Sequence, residues 1–233
     1  MQKSELQPQD IFIDLPSGVR LEANLWSPRK EDNSESTKLA VCLHPWAWLG
    51  GRKDDPALGP LVDPLLSERY HVIQYNARGV GGSSGWSSFT GFSEGKDLQD
   101  VVEWSMQKIG NVISVLLVGY SHGSLITSLC PVLPSVRTSH LLLSYPLGPR
   151  SWLTLFNSAS YTKALDTLLS HPDSKVFVVF GDRDEFTSAS RYHDWIASLT
   201  GNIQVEEVAG GSHFWHGRAG QDLVNAVKRW LLL

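Results

Sequence analysis

The sequence predicts an α/β fold: a mostly parallel, eight-stranded sheet with helices on both faces. Three observations predict it. Five short, largely apolar runs, rich in β-branched residues and without regular polar alternation, are separated by segments of helical period; strands of that kind are buried on both faces, as in a parallel sheet. An alternating hairpin precedes them. And the run Val112–Val118 meets Gly119-Tyr120-Ser121-His122-Gly123 and then the apolar segment Ser124–Leu129, a strand, a tight glycine-flanked turn and a helix in immediate succession.

Each element follows from local chemistry. Residues 11–15 and 19–26 form two strands around the turn Pro16-Ser17-Gly18. Residues 28–38 are polar and charged, an exposed loop. Leu39–Leu43 is a buried strand ending at His44-Pro45-Trp46-Ala47-Trp48-Leu49-Gly50-Gly51. Residues 60–69 form a helix that must place Pro64 in its first turn or kink there. Residues 70–75 are a strand, and Arg78 to Gly85 a loop. Residues 94–108 are a helix on the period of Leu98, Val101 and Val102. The helix after Gly123 is stopped by Pro131 and Pro134. Strands follow at 139–145, 175–180 and 203–208, with helices at 161–170, 188–199 (capped by Thr187 or Ser188) and 221–232. No internal repeat or low-complexity linker divides the chain, so one domain over 1–233 is the simplest organisation, with a short cap segment possible at 147–174.

Length and charge narrow the function. A chain of 233 residues buries a substantial core. A net charge of −4 and no run of Lys or Arg argue against nucleic acid as a partner. No stretch of about 20 apolar residues is present, so no membrane span is expected. The first eight residues lack the apolar core of a secretory signal. Cys42 and Cys130 lie in apolar segments and read as buried free thiols of a reducing compartment, which points to the cytoplasm. Oligomeric state is not readable.

The turn around Ser121 carries the chemistry. A serine on a sharp strand-to-helix corner presents its hydroxyl at the carboxyl end of a sheet, and glycines two residues either side avoid a Cβ clash there. The following helix directs its positive end at the hydroxyl. Serine is a poor nucleophile at its free pKa and needs a base held by an acid. The acid belongs at the end of a later strand, in Gly181-Asp182-Arg183-Asp184; Asp184 is preferred, because Asp182 sits against the strand end where turn hydrogen bonds claim it. The base belongs after the last strand, and His213 follows Gly210-Gly211 there, with His216 the second choice. An oxyanion also needs donors. The His122 N–H is the first, its ring being held aside by the turn. The Trp46 N–H is the second, with Gly50-Gly51 letting that loop fold close. Glycines 79, 81 and 82 suggest a nucleotide loop but lack the sixth-position Gly and the P-loop Lys. His213 and His216 suggest a metal, but nothing completes a ligand set.

On these motifs the chain resembles the α/β-hydrolases from end to end. Ser121, Asp184 and His213 match that family's triad in order. His44-Pro45 with Gly50-Gly51, Arg78-Gly79-Val80-Gly81, and Glu94-Gly95 followed by Asp97 resemble a subgroup of small intracellular members that carry His-Pro where His-Gly is commoner. The resemblance implies hydrolysis or transfer of an acyl group without metal or organic cofactor. It also implies a minimal lid, since large lids are inserted after the strand that ends here near Tyr145.

The resulting expectation is a serine hydrolase that cleaves esters or thioesters of a small or apolar acyl group through Ser121, His213 and Asp184, with Trp46 and His122 as the oxyanion hole. Trp48, Trp86, Trp152, Phe156 and Phe214, with Trp46 and Trp215, are the aromatic candidates for a substrate-binding lining. An acyltransferase or peptidase of the same fold, or a non-catalytic binding protein with its site blocked, are the alternatives.

Overall fold

The computed structural model describes residues 7–29 and 36–233. Most of the exposed loop expected over 28–38, and most of the N-terminal octet, lie outside those residues.

Eight strands form one sheet: β1 (Gln9–Asp14), β2 (Arg20–Trp26), β3 (Thr37–Leu43), β4 (Tyr70–Tyr75), β5 (Val112–Tyr120), β6 (Arg137–Leu143), β7 (Lys175–Gly181) and β8 (Ile203–Val208). Their spatial order is β1-β2-β4-β3-β5-β6-β7-β8. β1 and β2 pair antiparallel with Asp14 opposite Arg20, and β2 pairs antiparallel with β4. Every other pairing is parallel. Gly18, at φ +79°, closes the β1–β2 turn in the left-handed region that favours glycine.

The described residues form seven α-helices, six between strands and the last after β8: α1 (Val62–Ser67), α2 (Phe92–Ile109), α3 (His122–Ser128), α4 (Arg150–Leu153), α5 (Ser158–Ser170), α6 (Ala189–Ser198) and α7 (Gly217–Leu231). Pro64 falls in the first turn of α1, where its missing N–H is harmless. Ser188 caps α6, its Oγ accepting the Arg191 N–H.

Strand periodicity divides the core. Leu116, Val118 and Tyr120 of β5 face α1 and α7, packing with Leu65, Leu223 and Trp230. The intervening Val115 and Leu117 face the other way, onto Leu98 and Val101 of α2. Farther along that second face, Leu125, Tyr161, Leu165 and Tyr192 cover Leu142, Val178 and Phe180. Each such aliphatic side chain contributes about 1.5–3 kcal/mol on burial. A parallel sheet covered on both sides presents its carboxyl ends as one row of loops, and every residue of the site below comes from that row.

In the segment expected to form a short cap, α5 is a sheet-covering helix: Tyr161, Leu165, Leu168 and Leu169 are buried against the core. Only the four-residue α4 and its flanking turns overhang the strand ends.

Candidate active site

Ser121 stands between β5 and α3 with φ +54° and ψ −119°, a strained backbone for a residue with a side chain. Packing holds it there. The Ser121 N–H donates to the Leu143 carbonyl of β6 (2.8 Å), so the corner remains part of the sheet ladder. A Cβ on Gly119 would lie 2.4 Å from the Gly123 carbonyl oxygen, and one on Gly123 2.6 Å from the carbonyl oxygens of both Leu43 and His44. The two glycines therefore let the corner fold on itself and let α3 start directly against the loop after β3.

The loops after β7 and β8 are joined by a similar device. A Cβ on Gly181 would sit 2.1 Å from the Gly211 carbonyl oxygen, and the Arg183 N–H donates to that oxygen at 2.9 Å. Asp182 accepts the Gly210 N–H (2.6 Å), so its role is to tie the two turns together. Asp184 is placed differently. Its Oδ1 accepts the N–H groups of Phe186 (2.8 Å) and Thr187 (3.0 Å), and its Oδ2 accepts from His213 Nδ1 (2.7 Å). His213 Nε2 lies 2.9 Å from Ser121 Oγ. A carboxylate only accepts, so Nδ1 carries the proton and Nε2 presents a lone pair to the serine hydroxyl. Ser121, His213 and Asp184, separated by as many as 92 residues, thus form one buried hydrogen-bonded chain. His216 is exposed, N-terminal to α7, and stacks on Phe214.

Two further groups hold the imidazole. The His213 N–H donates to Glu185 Oε2 (2.8 Å), and Tyr120 O–H donates to the His213 carbonyl (2.6 Å). Burial, then the carboxylates of Asp55, Asp184 and Glu185, raise the Tyr120 pKa, so it stays a donor. Tyr120 lies inside the motif that located Ser121 and Glu185 directly follows the one that located Asp184, but nothing in their identity alone marks them out.

The His44-Pro45-Trp46 loop is held by His44. Its Nδ1–H donates to the Pro45 carbonyl (2.6 Å) and its Nε2 accepts the Ala77 N–H (3.0 Å), so the ring is neutral and bridges two loops. Burial lowers its pKa, consistent with that state. The Trp46 carbonyl accepts from Leu49 and Gly51, closing a tight turn that a Cβ on Gly51, 2.2 Å from the Pro45 oxygen, would break. Neither the Trp46 nor the His122 N–H serves a turn or loop hydrogen bond among the described residues. The His122 ring points elsewhere, into a small crevice with His44, Glu94 and Asp97. Burial and the neighbouring His44 push its pKa down to about 4.

A cavity of about 270 Å³ opens over Ser121 and His213. Trp46, Leu49, Trp152, Phe186 and Phe214 wall it, with Pro45, Pro56, Pro146 and Pro149 between them and Asp55 on one side. Of the aromatic candidates, the structure brings Trp46, Trp152 and Phe214 to this cavity. Trp48, Trp86, Phe156 and Trp215 are elsewhere. Trp48 is largely exposed, stacks on Trp46 and lines the crevice instead. Trp86 follows the left-handed Gly85 out into solvent and is 89% exposed; Phe156, itself at φ +65°, is 79% exposed. Trp215 turns into the core and donates its Nε1–H to Ser144 Oγ.

Arg78 pairs with the buried Asp97 through two hydrogen bonds, 2.5 and 2.6 Å, and so anchors the glycine-rich loop. Among the described residues no group of three His, Cys, Asp or Glu is placed to hold a metal ion, and no helix is long and apolar enough to cross a membrane. Both cysteines are free and buried.

The eight-stranded order, the corner at Ser121 and the loop row above it decide the fold. The chain has the α/β-hydrolase fold. A family model describing X-Pro dipeptidyl-peptidases (S15 family) matches residues 17–130. Among solved structures, an α/β serine hydrolase homologue from Coxiella burnetii superposes with TM-score 0.77 at 23% identity, covering 96% of this chain and 97% of that one. An α/β serine hydrolase without lid from Xanthomonas campestris gives 0.76 at 23%, covering 96% and 95%. Est1E from Butyrivibrio proteoclasticus, with ferulic acid bound, gives 0.76 at 18%, covering 95% and 98%. Within this α/β-hydrolase fold, Ser121 occupies the strand-to-helix corner and His213 the turn after the last strand.

Proposed function

We propose that the chain is a serine hydrolase acting on carboxylic esters or thioesters with a small or apolar acyl group, and that it works in the cytoplasm. The observation that carries the reading is the hydrogen-bonded chain from Asp184 through His213 to Ser121, ending at the floor of an apolar cavity. His213 Nε2 takes the hydroxyl proton as Ser121 Oγ attacks the carbonyl carbon. Asp184 keeps the ring in that tautomer and stabilises its cation. The oxyanion is held by the N–H groups of Trp46 and His122. As the tetrahedral adduct collapses, His213 returns the proton to the departing alcohol or thiol, leaving an acyl-serine. Water then attacks with His213 again as base, and Ser121 Oγ departs with the returned proton, releasing the acid. The strained Ser121 backbone and the hydrogen bonds that tie the loops after β7 and β8 together hold this geometry before substrate arrives. No metal or organic cofactor enters these steps.

Two observations bear on the acyl group. The cavity walls are mostly aromatic and proline, and a neighbour in fold binds ferulic acid, an aromatic acid. The match to a dipeptidyl-peptidase family over 17–130 favours a peptidase as the second reading. A fluorophosphonate probe read by intact mass tests the core of the proposal. Wild type gains one adduct, while Ser121→Ala and His213→Ala gain none at equal concentration. Folded wild type that stays unlabelled overturns the reading and leaves a binding protein of the same fold.

A further inference from the structure

We propose that Asp55 makes the Ser121 cavity a recognition site for a cationic group, so that the acyl chain it accepts carries an amine. The inference rests on the serine-hydrolase reading above and names its substrate class.

Asp55 is the one carboxylate among the residues lining the cavity, since Asp184 lies behind His213. The same cavity is lined by Pro45, Trp46, Leu49 and Pro56, none of which carries a positive charge, and the side-chain hydrogen bond that Asp55 accepts comes from the Ala57 N–H. Neither cation just before it neutralises it: Lys53 is turned to Asn24 and Glu22 on β2, and among the described residues no ion pair joins Arg52 to Asp55. No ion pair to Asp55 occurs among the described residues. Burial raises its pKa against the pull of the Ala57 and Leu58 N–H groups and of a charged His213. A half-buried carboxylate in such a pocket gains most from a ligand that brings its own positive charge. The aromatic faces add to this. Trp46 and Trp152 stand edge to face at 4.8 Å, and indole rings attract ammonium groups. A carboxylate with aromatic walls is the chemistry that recognises an ammonium, while the apolar remainder suits the carbon chain that joins it to the ester.

Two other duties of Asp55 are separable from this one. Its Oδ1 accepts the Ala57 N–H (2.8 Å) and its carbonyl accepts from Leu58 and Gly59, so it begins a turn. An asparagine performs that task equally well. Its charge also acts on His213, but that effect is common to every substrate. A charged substrate group is the only one of the three that depends on what the acyl chain carries.

The test is Asp55→Asn against wild type with two matched pairs of p-nitrophenyl esters: 3-aminopropanoate with butanoate, and 6-aminohexanoate with heptanoate. Each pair exchanges an ammonium for a methyl group. Wild type is expected to favour the ammonium ester of at least one pair in kcat/KM. Asp55→Asn is expected to cut that ammonium-to-methyl ratio by about tenfold or more, chiefly through KM, the loss of one charge-assisted contact. A ratio that does not move, with both esters falling together, assigns Asp55 to His213 or to its turn and overturns the proposal. A wild type that labels with fluorophosphonate but prefers both methyl esters overturns it too, and leaves the hydrolase reading standing. A wild type that neither labels nor cleaves any ester overturns both.

Discussion

Replacing Asp184 with asparagine exchanges one oxygen for an NH₂ group and tests how the site divides its labour. The Asp184 side chain is fully buried. Its Oδ1 accepts two backbone N–H groups at 2.8 and 3.0 Å, and its Oδ2 accepts the His213 proton at 2.7 Å. Asparagine keeps the first pair through its own Oδ1. Its NH₂ then faces His213 Nδ1, where two donors cannot both stand. The ring responds by moving its proton to Nε2, which points that N–H at Ser121 Oγ and leaves no lone pair to take the serine proton. The loss of the correct tautomer in a Ser-His-Asp site costs roughly 10⁴-fold in kcat. The fold should hardly register the change, since no backbone donor is orphaned. Asp184→Ala differs in that respect. It strands the Phe186 and Thr187 N–H groups in a buried place, at about 1–3 kcal/mol each. For a domain of this size, each kcal/mol corresponds to about 2–4 °C in Tm. The pair is therefore expected to share an activity loss while differing in stability, with Asp184→Asn melting within a few degrees of wild type and Asp184→Ala well below it. Hydrolysis of p-nitrophenyl butyrate, the rate of fluorophosphonate labelling and a thermal melt on the same samples read all three quantities. An Asp184→Asn enzyme within about tenfold of wild type in kcat, at an unchanged Tm, would refute the assignment of Asp184 as the group that sets the tautomer of His213.

Two further expectations follow from the backbone and the core. Gly123→Ala puts a methyl group 2.6 Å from two backbone oxygens of the β3 loop, which should cost about 1–3 kcal/mol and displace the loop that carries Trp46. Activity should fall with stability, and a variant with wild-type Tm and turnover refutes the close-packed corner. His140, fully buried in β6, has its pKa pushed down to about 4 by burial, although its Nε2–H bond to the Cys130 carbonyl works the other way. Unfolding returns it to about 6.5, so between those values the unfolded chain binds the extra proton. Stability is then full above about 6.5 and is lost as pH falls toward 4, by an amount on the order of 3 kcal/mol. In urea titrations at several pH values, His140→Leu should flatten that loss. An identical slope in both proteins removes His140 as its cause.

What was legible in the sequence is what turn chemistry at strand ends controls. β4 and β8 begin and end at the residues that their apolar patterns mark, and Ser121, Asp184 and His213, which the structure brings together, could be picked out because each sits near a glycine turn following a strand. α7 was less legible. It starts at Gly217 and not at 221, and its first turns hold Gly217 and Gly220, which read locally as weak helix formers. At Gly220 a Cβ would lie 2.4 Å from the Trp215 oxygen, so the turn that enters the helix requires the glycine. The aromatic lining was half legible for a related reason. Which way a side chain leaves an irregular loop depends on a few dihedral angles that composition does not encode, so Trp46 turned toward Ser121 and Trp48 away from it. The same holds for Glu185, Tyr120 and Asp55. A glutamate beside an aspartate at a strand end, or an aspartate at a turn, is ordinary in sequence, and acquires its meaning only from what faces it across the loop row. The residues that bond-making chemistry demands are tied to a corner of the backbone and carry a local signature. Those that choose the substrate are tied to an empty volume shared by loops more than a hundred residues apart, and no local pattern records that volume. If Asp55 selects the substrate as proposed, relatives sharing this corner are expected to vary at Asp55 with the substrate they take, and the substrate range of this fold should track the loop after β3 more closely than it tracks the residues of the Ser121 corner.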